Sequence, residues 1–240
     1  MNRLDPSLIR GFDLFISMSE DELRAILSDA RPRQVPKGAA LFEQGAGAQE
    51  FFVLLNGRLK VVQVTPDGEQ VLIRFVVPGE VCGVAVAMRR PDYPATASAV
   101  IDSLALVWES RHWESLCARA PALAANTLHT IGQRLQEAHS RIREFSTEEA
   151  ERRVAHALLR LVSQSGRKTD EGMLIDFPVS RQDIAEMTGV TLHTVSRIMS
   201  GWESKGFVQG GRQKIIVREP HKLFLLAEGT PPSSGPEEHA

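Results

Sequence analysis

The chain has 240 residues, 42% of them hydrophobic, with 28 Lys and Arg against 30 Asp and Glu for a net charge of −2. That length and apolar content suit two domains with separate cores and exclude a disordered chain. Cys82 and Cys117 are too few for a disulfide framework and lack zinc-site spacing, so a reducing, cytoplasmic compartment is expected. No secretory signal pattern opens the sequence, and no apolar run approaches the roughly 20 residues of a membrane span. The near-neutral total hides an asymmetry. Residues 1–110 hold eleven bases and fourteen acids, net −3, whereas 178–218 hold six bases and three acids, net +3, which favours polyanion contact near the C-terminal end.

Ser19 and Glu22 make a capping-box pattern at the head of a short helix ending at Leu27. From Pro36 to about Glu109, apolar runs at 51–55, 59–64, 71–77 and 104–108 alternate with turn signals at Asn56-Gly57, Pro66-Asp67-Gly68 and Pro78-Gly79. This predicts antiparallel hairpins closing into a sandwich or barrel with flanking helices. The first histidine is His112, beyond these strands, so they hold no His-carboxylate cluster for a metal-dependent enzyme, and no metal site is expected.

Ala124, Leu128, Ile131, Leu135, Ala138, Ile142 and Phe145 are spaced alternately by four and three residues. They form a heptad seam on a helix from about Pro121 to Phe145, about 37 Å long at 1.5 Å per residue. Packing against the chain's own strands is the alternative. A repeat sustained over three heptads, with Gln133, Arg134, Glu137, Arg141 and Glu144 off the seam, favours a partner helix and a parallel homodimer. Thr147 is then expected to cap a helix running to Ser165 and stopped by Gly166, with Val154, Ala157, Leu158 and Leu161 facing a second core.

Ser180-Arg181-Gln182-Asp183 is a second capping-box pattern, leading into Ile184-Ala185-Glu186-Met187. Gly189 supplies a tight turn, and Thr191 caps another helix to about Lys205, with Ile184, Val190, Val195 and Ile198 at the positions such a pair buries. The pattern predicts a helix-turn-helix whose second helix enters a major groove. Phe207-Val208-Gln209, Gly210-Gly211-Arg212 and Gln213 to Val217 follow as a hairpin with a glycine turn, a wing. Candidate DNA contacts are Ser180, Arg181, Gln182, Thr191, Leu192, His193, Ser196 and Arg197, with Arg212 and Lys214 on the wing. The Pro-, Ser- and Glu-rich stretch 228–240 is expected to be a disordered tail. The expected organisation is α+β: a sensor domain at 1–118, a dimerisation helix at 119–146 and a winged helix-turn-helix at 147–227. A ligand-binding module whose helix pair merely docks a protein stays open as the alternative.

Three segments, Gly38 to Gly45, Phe52 to Gly57 and Pro78 to Gly83, resemble the cyclic-nucleotide-binding-type β-roll of the CRP/FNR family of bacterial transcription regulators. The helix pair and wing also match that family, and the resemblance covers roughly residues 10–225. It implies a dimeric regulator, not an enzyme, with double-stranded DNA and RNA polymerase as partners. Members that bind a cyclic nucleotide carry a Glu just after the glycine corresponding to Gly83 and an Arg-Ser pair about ten residues on. Here position 84 is Val84, and the later stretch reads Tyr93-Pro94-Ala95-Thr96-Ala97. Charge-assisted bonds of about 1.5–3 kcal/mol each are missing, so no cyclic nucleotide is expected. An effector pocket is placed at Gly83, Val84, Tyr93, Ala95 and Thr96. Two cysteines exclude a four-thiolate iron–sulfur cluster. Haem stays open, with His112, His129, His139, Cys82, Cys117 and Met88 as candidate ligands.

Where the family commonly has Glu-x-x-Ser-Arg, this chain has His193-Thr194-Val195-Ser196-Arg197. The resemblance implies a TTG-type half-site in which Arg197 reads O6 and N7 of guanine while His193 alters readout at its base. That change, with residues 93–97 and 149–155, is similar to the NnrR-type regulators. It implies activation of nitrite and nitric oxide reductase genes in response to nitric oxide, through haem.

Overall fold

The computed structural model describes residues 4–211 and 213–230. The chain divides into two compact units, Met1–His139 and Ser140–Ala240.

In the first unit, α1 (Glu20–Leu27) starts at the expected capping box: the Ser19 amide and hydroxyl donate to the Glu22 carboxylate, and the Glu22 amide donates to Ser19 Oγ at 3.3 Å. Six strands follow: β1 (Arg31–Val35), β2 (Ala40–Phe42), β3 (Glu50–Val64), β4 (Gln70–Val76), β5 (Val81–Cys82) and β6 (Thr96–Glu109). They pair antiparallel in the order β1-β6-β3-β4, with β2 also on β6 and β5 on β3. The continuous apolar run of β3 is explained by burial on both faces. Phe51 and Val53 join Leu106, Trp108, α1, α2 (Trp113–Arg119) and the start of α3 (Pro121–Thr147). Phe52 and Leu54 point the other way, into the roll, with Ala105 and Val107. Trp108 stacks on Phe51 at 5.3 Å and donates its indole N–H to Ile26 O at 2.9 Å, so the large aromatic is buried with its polar atom satisfied.

Asn56-Gly57 is not a hairpin turn. β3 runs through it for 15 residues, and the pairing with β6 shifts register on both sides of Asn56, which makes it a bulge. Gly57, at φ 96°, passes so close to β6 that an added Cβ would lie 2.2 Å from Ser103 Oγ. That hydroxyl accepts from the Arg58 amide at 3.1 Å. A bulge and a tight turn make the same demand for a positive-φ glycine, so the sequence signal was ambiguous. Pro66-Asp67-Gly68 does turn β3 into β4, with the Gly68 amide on Thr65 O at 2.9 Å.

In the second unit, α4 (Ala150–Ser165) buries Val154, Ala155, Ala157, Leu158 and Leu161. Thr147 does not cap it. Thr147 is the last residue of α3 and donates its hydroxyl to Arg143 O at 2.9 Å, while Glu149 stands at the N-cap with no side-chain cap bond. Gly166 ends α4 and also opens β7 (Gly166–Thr169), which pairs with β8 (Gly172–Ile175) in a hairpin unforeseen from the sequence. Four-residue strands containing Arg, Lys and Thr are too short and polar to show alternation. After α5 (Arg181–Thr188) and α6 (Leu192–Ser204) come β9 (Val208–Gly211) and β10 (Lys214–Val217), which complete a sheet in the order β7-β8-β10-β9, and then α7 (Pro220–Ala227). The expected tail begins too early: the Gly229 and Thr230 amides donate to Leu226 O and Leu225 O at 3.1 and 2.9 Å, closing α7. Residues 231–240 lie outside the described residues. No described helix is long and apolar enough to cross a membrane.

Candidate nucleic-acid interface and sensor site

The helix pair is built by three local devices. At Ser180 the hydroxyl and amide donate to the Asp183 carboxylate at 2.6 and 2.8 Å, and the Asp183 amide donates back to Ser180 Oγ at 3.0 Å. At the turn, Gly189 is left-handed, φ 62° and ψ 33°, and the Val190 amide reaches Ala185 O at 3.3 Å. At Thr191 the hydroxyl accepts from the Thr194 amide at 3.2 Å. Ile184, Ala185 and Met187 of α5 and Val195, Met199 and Trp202 of α6 are buried, whereas Val190 and Ile198, expected in the core, are only half-buried. Trp202 donates its indole N–H to Glu151 at 2.8 Å, fixing α6 against α4.

With that face of α6 committed, the opposite face is open. Thr191, Leu192, His193 and Arg197 are exposed and Ser196 is half-buried. Gln182 is exposed and donates to Glu186 at 3.0 Å. Two other candidates are engaged inside the protein. Ser180 spends its hydroxyl on the cap, and Arg181 donates to Glu203 at 3.0 Å. Glu203, which the sequence offers only as one of three acids in 178–218, also meets the wing: a Cβ on Gly210 would stand 2.2 Å from its carboxylate oxygen. That contact explains a glycine within β9. Lys214 pairs with Gly211 and Ile215 with Gly210, so both glycines lie within the paired strands and neither forms the turn, and Gln213 stands at φ 59°. Lys214 is exposed beside the turn, and Arg212 lies outside the described residues.

The last seam residue of α3 touches this machinery. A Cβ on Gly189 would lie 3.1 Å from the Phe145 ring, and the Arg153 guanidinium stands 5.3 Å from the centre of the same ring. Next to it, the buried Glu144 carboxylate accepts from Arg160 Nη1 at 2.7 and 2.9 Å.

In the first unit, Val84, Tyr93 and Ala95 are buried, and Gly83 and Thr96 are half-buried. Their polar groups have partners within the protein. The Tyr93 hydroxyl donates to Glu50 O at 2.7 Å and accepts from the Glu50 amide at 3.2 Å; Thr96 Oγ1 accepts from the Gln44 amide at 3.0 Å. Tyr93 stacks on Phe42 at 4.3 Å and Phe42 on Phe52 at 5.5 Å, and a Cβ on Gly83 would meet Phe52 at 2.9 Å. An aromatic stack therefore packs against the corner at Gly83. Sequence reading also missed Arg74 and Arg134, both of which donate to Val81 O beside this corner. Arg89 and Arg90 are exposed, with Arg90 paired to Asp92 at 3.2 Å.

The candidate haem ligands differ in setting. His129, His139 and Met88 are exposed. Cys82 is fully buried, and burial pushes its thiol up to about 11, which disfavours the thiolate; burial also raises the half-buried Cys117. His112 is half-buried, with a buried Nδ1 that has no hydrogen-bond partner. Among the described residues, no three His, Cys, Asp or Glu side chains are grouped to hold a metal ion.

Residues 32–120 match the cyclic nucleotide-binding domain and residues 152–225 the Crp-like helix-turn-helix domain. The chain belongs to the CRP/FNR family of transcription regulators. Among its CRP/FNR relatives, the cyclic AMP receptor protein of Thermus thermophilus is 28% identical, over 92% of this chain and 99% of that one. The transcriptional activator protein FnrA of Stutzerimonas stutzeri is 24% identical, over 92% and 91%. In structure, FixK2 from Bradyrhizobium japonicum superposes with a TM-score of 0.72 at 22% identity, covering 86% of this chain and 99% of that one. As a CRP/FNR-type regulator the protein binds DNA through its helix-turn-helix, and the exposed face of α6 is the surface available for base contacts.

Proposed function

We propose that this regulator acts in the cytoplasm as a parallel homodimer that sets two α6 helices into successive major grooves of a palindromic TTG-type site, about 34 Å apart. One observation carries the reading. Leu128, Leu135, Ile142 and Phe145 are 70%, 53%, 62% and 44% exposed, and all four occupy seam positions on α3. Large apolar side chains repeated along one exposed stripe are what a partner helix covers. Ile131 is half-buried and Ala138 exposed on the same seam. In the groove, Arg197 donates to O6 and N7 of guanine, Ser196 touches a neighbouring base or phosphate, and the His193 imidazole, whose ring nitrogens can serve as donor or acceptor, is a less selective reader than a carboxylate. Lys214 of the wing meets phosphate.

Selection from a randomised palindrome tests the reading. Arg197→Ala is expected to lose the guanine preference while keeping salt-dependent affinity; unchanged guanine selection would refute its role. A flat salt dependence on duplex DNA would favour protein docking instead, because counterion release belongs to polyanion binding.

The finer reading is a nitric oxide response that activates denitrification genes through RNA polymerase. It is supported by the resemblance of His193 and residues 93–97 and 149–155 to the NnrR-type branch. Haem would supply the iron that binds nitric oxide, and the buried Nδ1 of His112, which has no hydrogen-bond partner, supports that residue as its candidate ligand. The absorption spectrum of haem-loaded protein, with and without nitric oxide, decides this: failure to form a stable complex, or one unchanged in His112→Ala, refutes it.

A further inference from the structure

Two arginines from different elements converge on one carbonyl oxygen in the first unit. Arg74 of β4 donates to Val81 O at 3.3 Å, and Arg134 of α3 donates to the same atom. Arg74 also donates to Phe75 O at 3.4 Å and pairs with Glu80. Arg134 has no such relief. Among the described residues its one hydrogen bond is to Val81 O, and no carboxylate lies within 4 Å of it. It is nonetheless largely removed from water. Burial, and after it the charge of Arg74, pulls its guanidinium down to about 10, while Glu80, Cys82 and Glu137 oppose the shift. Two guanidinium groups therefore meet at the corner formed by Val81, Cys82 and Gly83, where the one ion-paired carboxylate, Glu80, is engaged by Arg74. A desolvated cation beside a like charge is costly unless an anion completes it.

We propose that Arg74 and Arg134 form a receptor for a small oxyanion, the carboxylate or phosphate group of a ligand other than nitric oxide, which bridges β4 to α3. The planar forks of two arginines match such groups bidentately, and neither arginine stands at a position where the family's nucleotide-binding pattern is missing from this chain. The inference rests on the reading of this unit as the sensor. It adds a chemical class of ligand and a route to the dimer seam: an anion held by Arg134 biases α3, the helix that carries Leu128 and Leu135.

Thermal unfolding of the full-length chain at fixed ionic strength tests it, with chloride replaced stepwise by inorganic phosphate in one arm and by acetate in the other. Which arm responds distinguishes a phosphate from a carboxylate ligand. The melting temperature is expected to rise saturably with at least one oxyanion, and the rise to disappear in Arg134→Gln and Arg74→Gln. Arg134→Lys, which keeps the charge but loses the fork, should retain part of it. Should Arg134→Gln fail to fold, the comparison is carried by Arg74→Gln and by line broadening of the phosphate or acetate NMR signal against wild type. No oxyanion-specific rise in wild type overturns the proposal, as does a rise that both glutamine variants keep. Duplex binding measured on the same preparations separates the outcomes: loss of DNA binding counts against the regulator's DNA reading and leaves the anion result standing.

Discussion

Replacing Glu203 by Gln should increase, not decrease, the salt sensitivity of DNA binding. Arg181 stands at the N-terminal end of α5, where it would be counted as a phosphate contact, but its guanidinium donates to Glu203 at 3.0 Å. The pair is 37% and 30% exposed, so its contribution to folding is small, about 0.2–1 kcal/mol, and the variant should fold. Freed from Glu203, Arg181 becomes available to neutralise one more phosphate. For B-DNA each neutralised phosphate steepens the slope of log K against log salt by about 0.9. Between 50 and 200 mM salt, one extra contact makes the loss of affinity about 3.5-fold larger than in wild type. Fluorescence anisotropy on a fixed duplex across that range reads the slope. Arg181→Ala in the wild-type background should leave it nearly unchanged, and in the Glu203→Gln background should abolish the increase. If Arg181→Ala alone flattens the wild-type slope by about one, Arg181 already contacts phosphate and the ion-pair argument is wrong.

Gly189→Ala places a Cβ in a left-handed conformation and 3.1 Å from the Phe145 ring, so a loss of about 1–2 kcal/mol is expected; calorimetry should show the melting temperature of the C-terminal unit falling, by about 4–8 °C per kcal/mol. Leu128→Glu with Leu135→Glu should convert a dimer to monomers in sedimentation while each unit still unfolds cooperatively, with only the concentration-dependent part of the melting temperature lost, since both side chains are exposed within one chain; a monomeric wild type would defeat the seam reading. At pH 7–8 an alkylating agent should label Cys117 well before Cys82, whose thiol stays protonated to about 11. Because a raised thiol pKa favours the folded state only while the group is protonated, Cys82 should make stability fall between about pH 9 and 11, a fall that Cys82→Ala removes.

Much of the fold was legible because its signals are local. A capping box needs two residues three apart, and both at Ser19 and Ser180 form as read. The heptad spacing on α3 depends only on helical periodicity, and the exposed leucines stand where that period puts them. Local signals fail where two structures make one demand. Asn56-Gly57 serves a bulge because β6 brings Ser103 against Gly57, and Gly210 lies within a strand because Glu203 comes from α6 to meet it. The same limit governed the sites. Sequence by itself determined the family's two modules, their order, and which α6 residues lie on the face that stays exposed, since the last follows from spacing along one helix. Only the tertiary structure decided that Arg181 is held by Glu203, and that Arg74 and Arg134, 60 residues apart in sequence, share the Val81 carbonyl. Charge pairing and desolvation depend on which distant residues are brought together, and no local pattern encodes that.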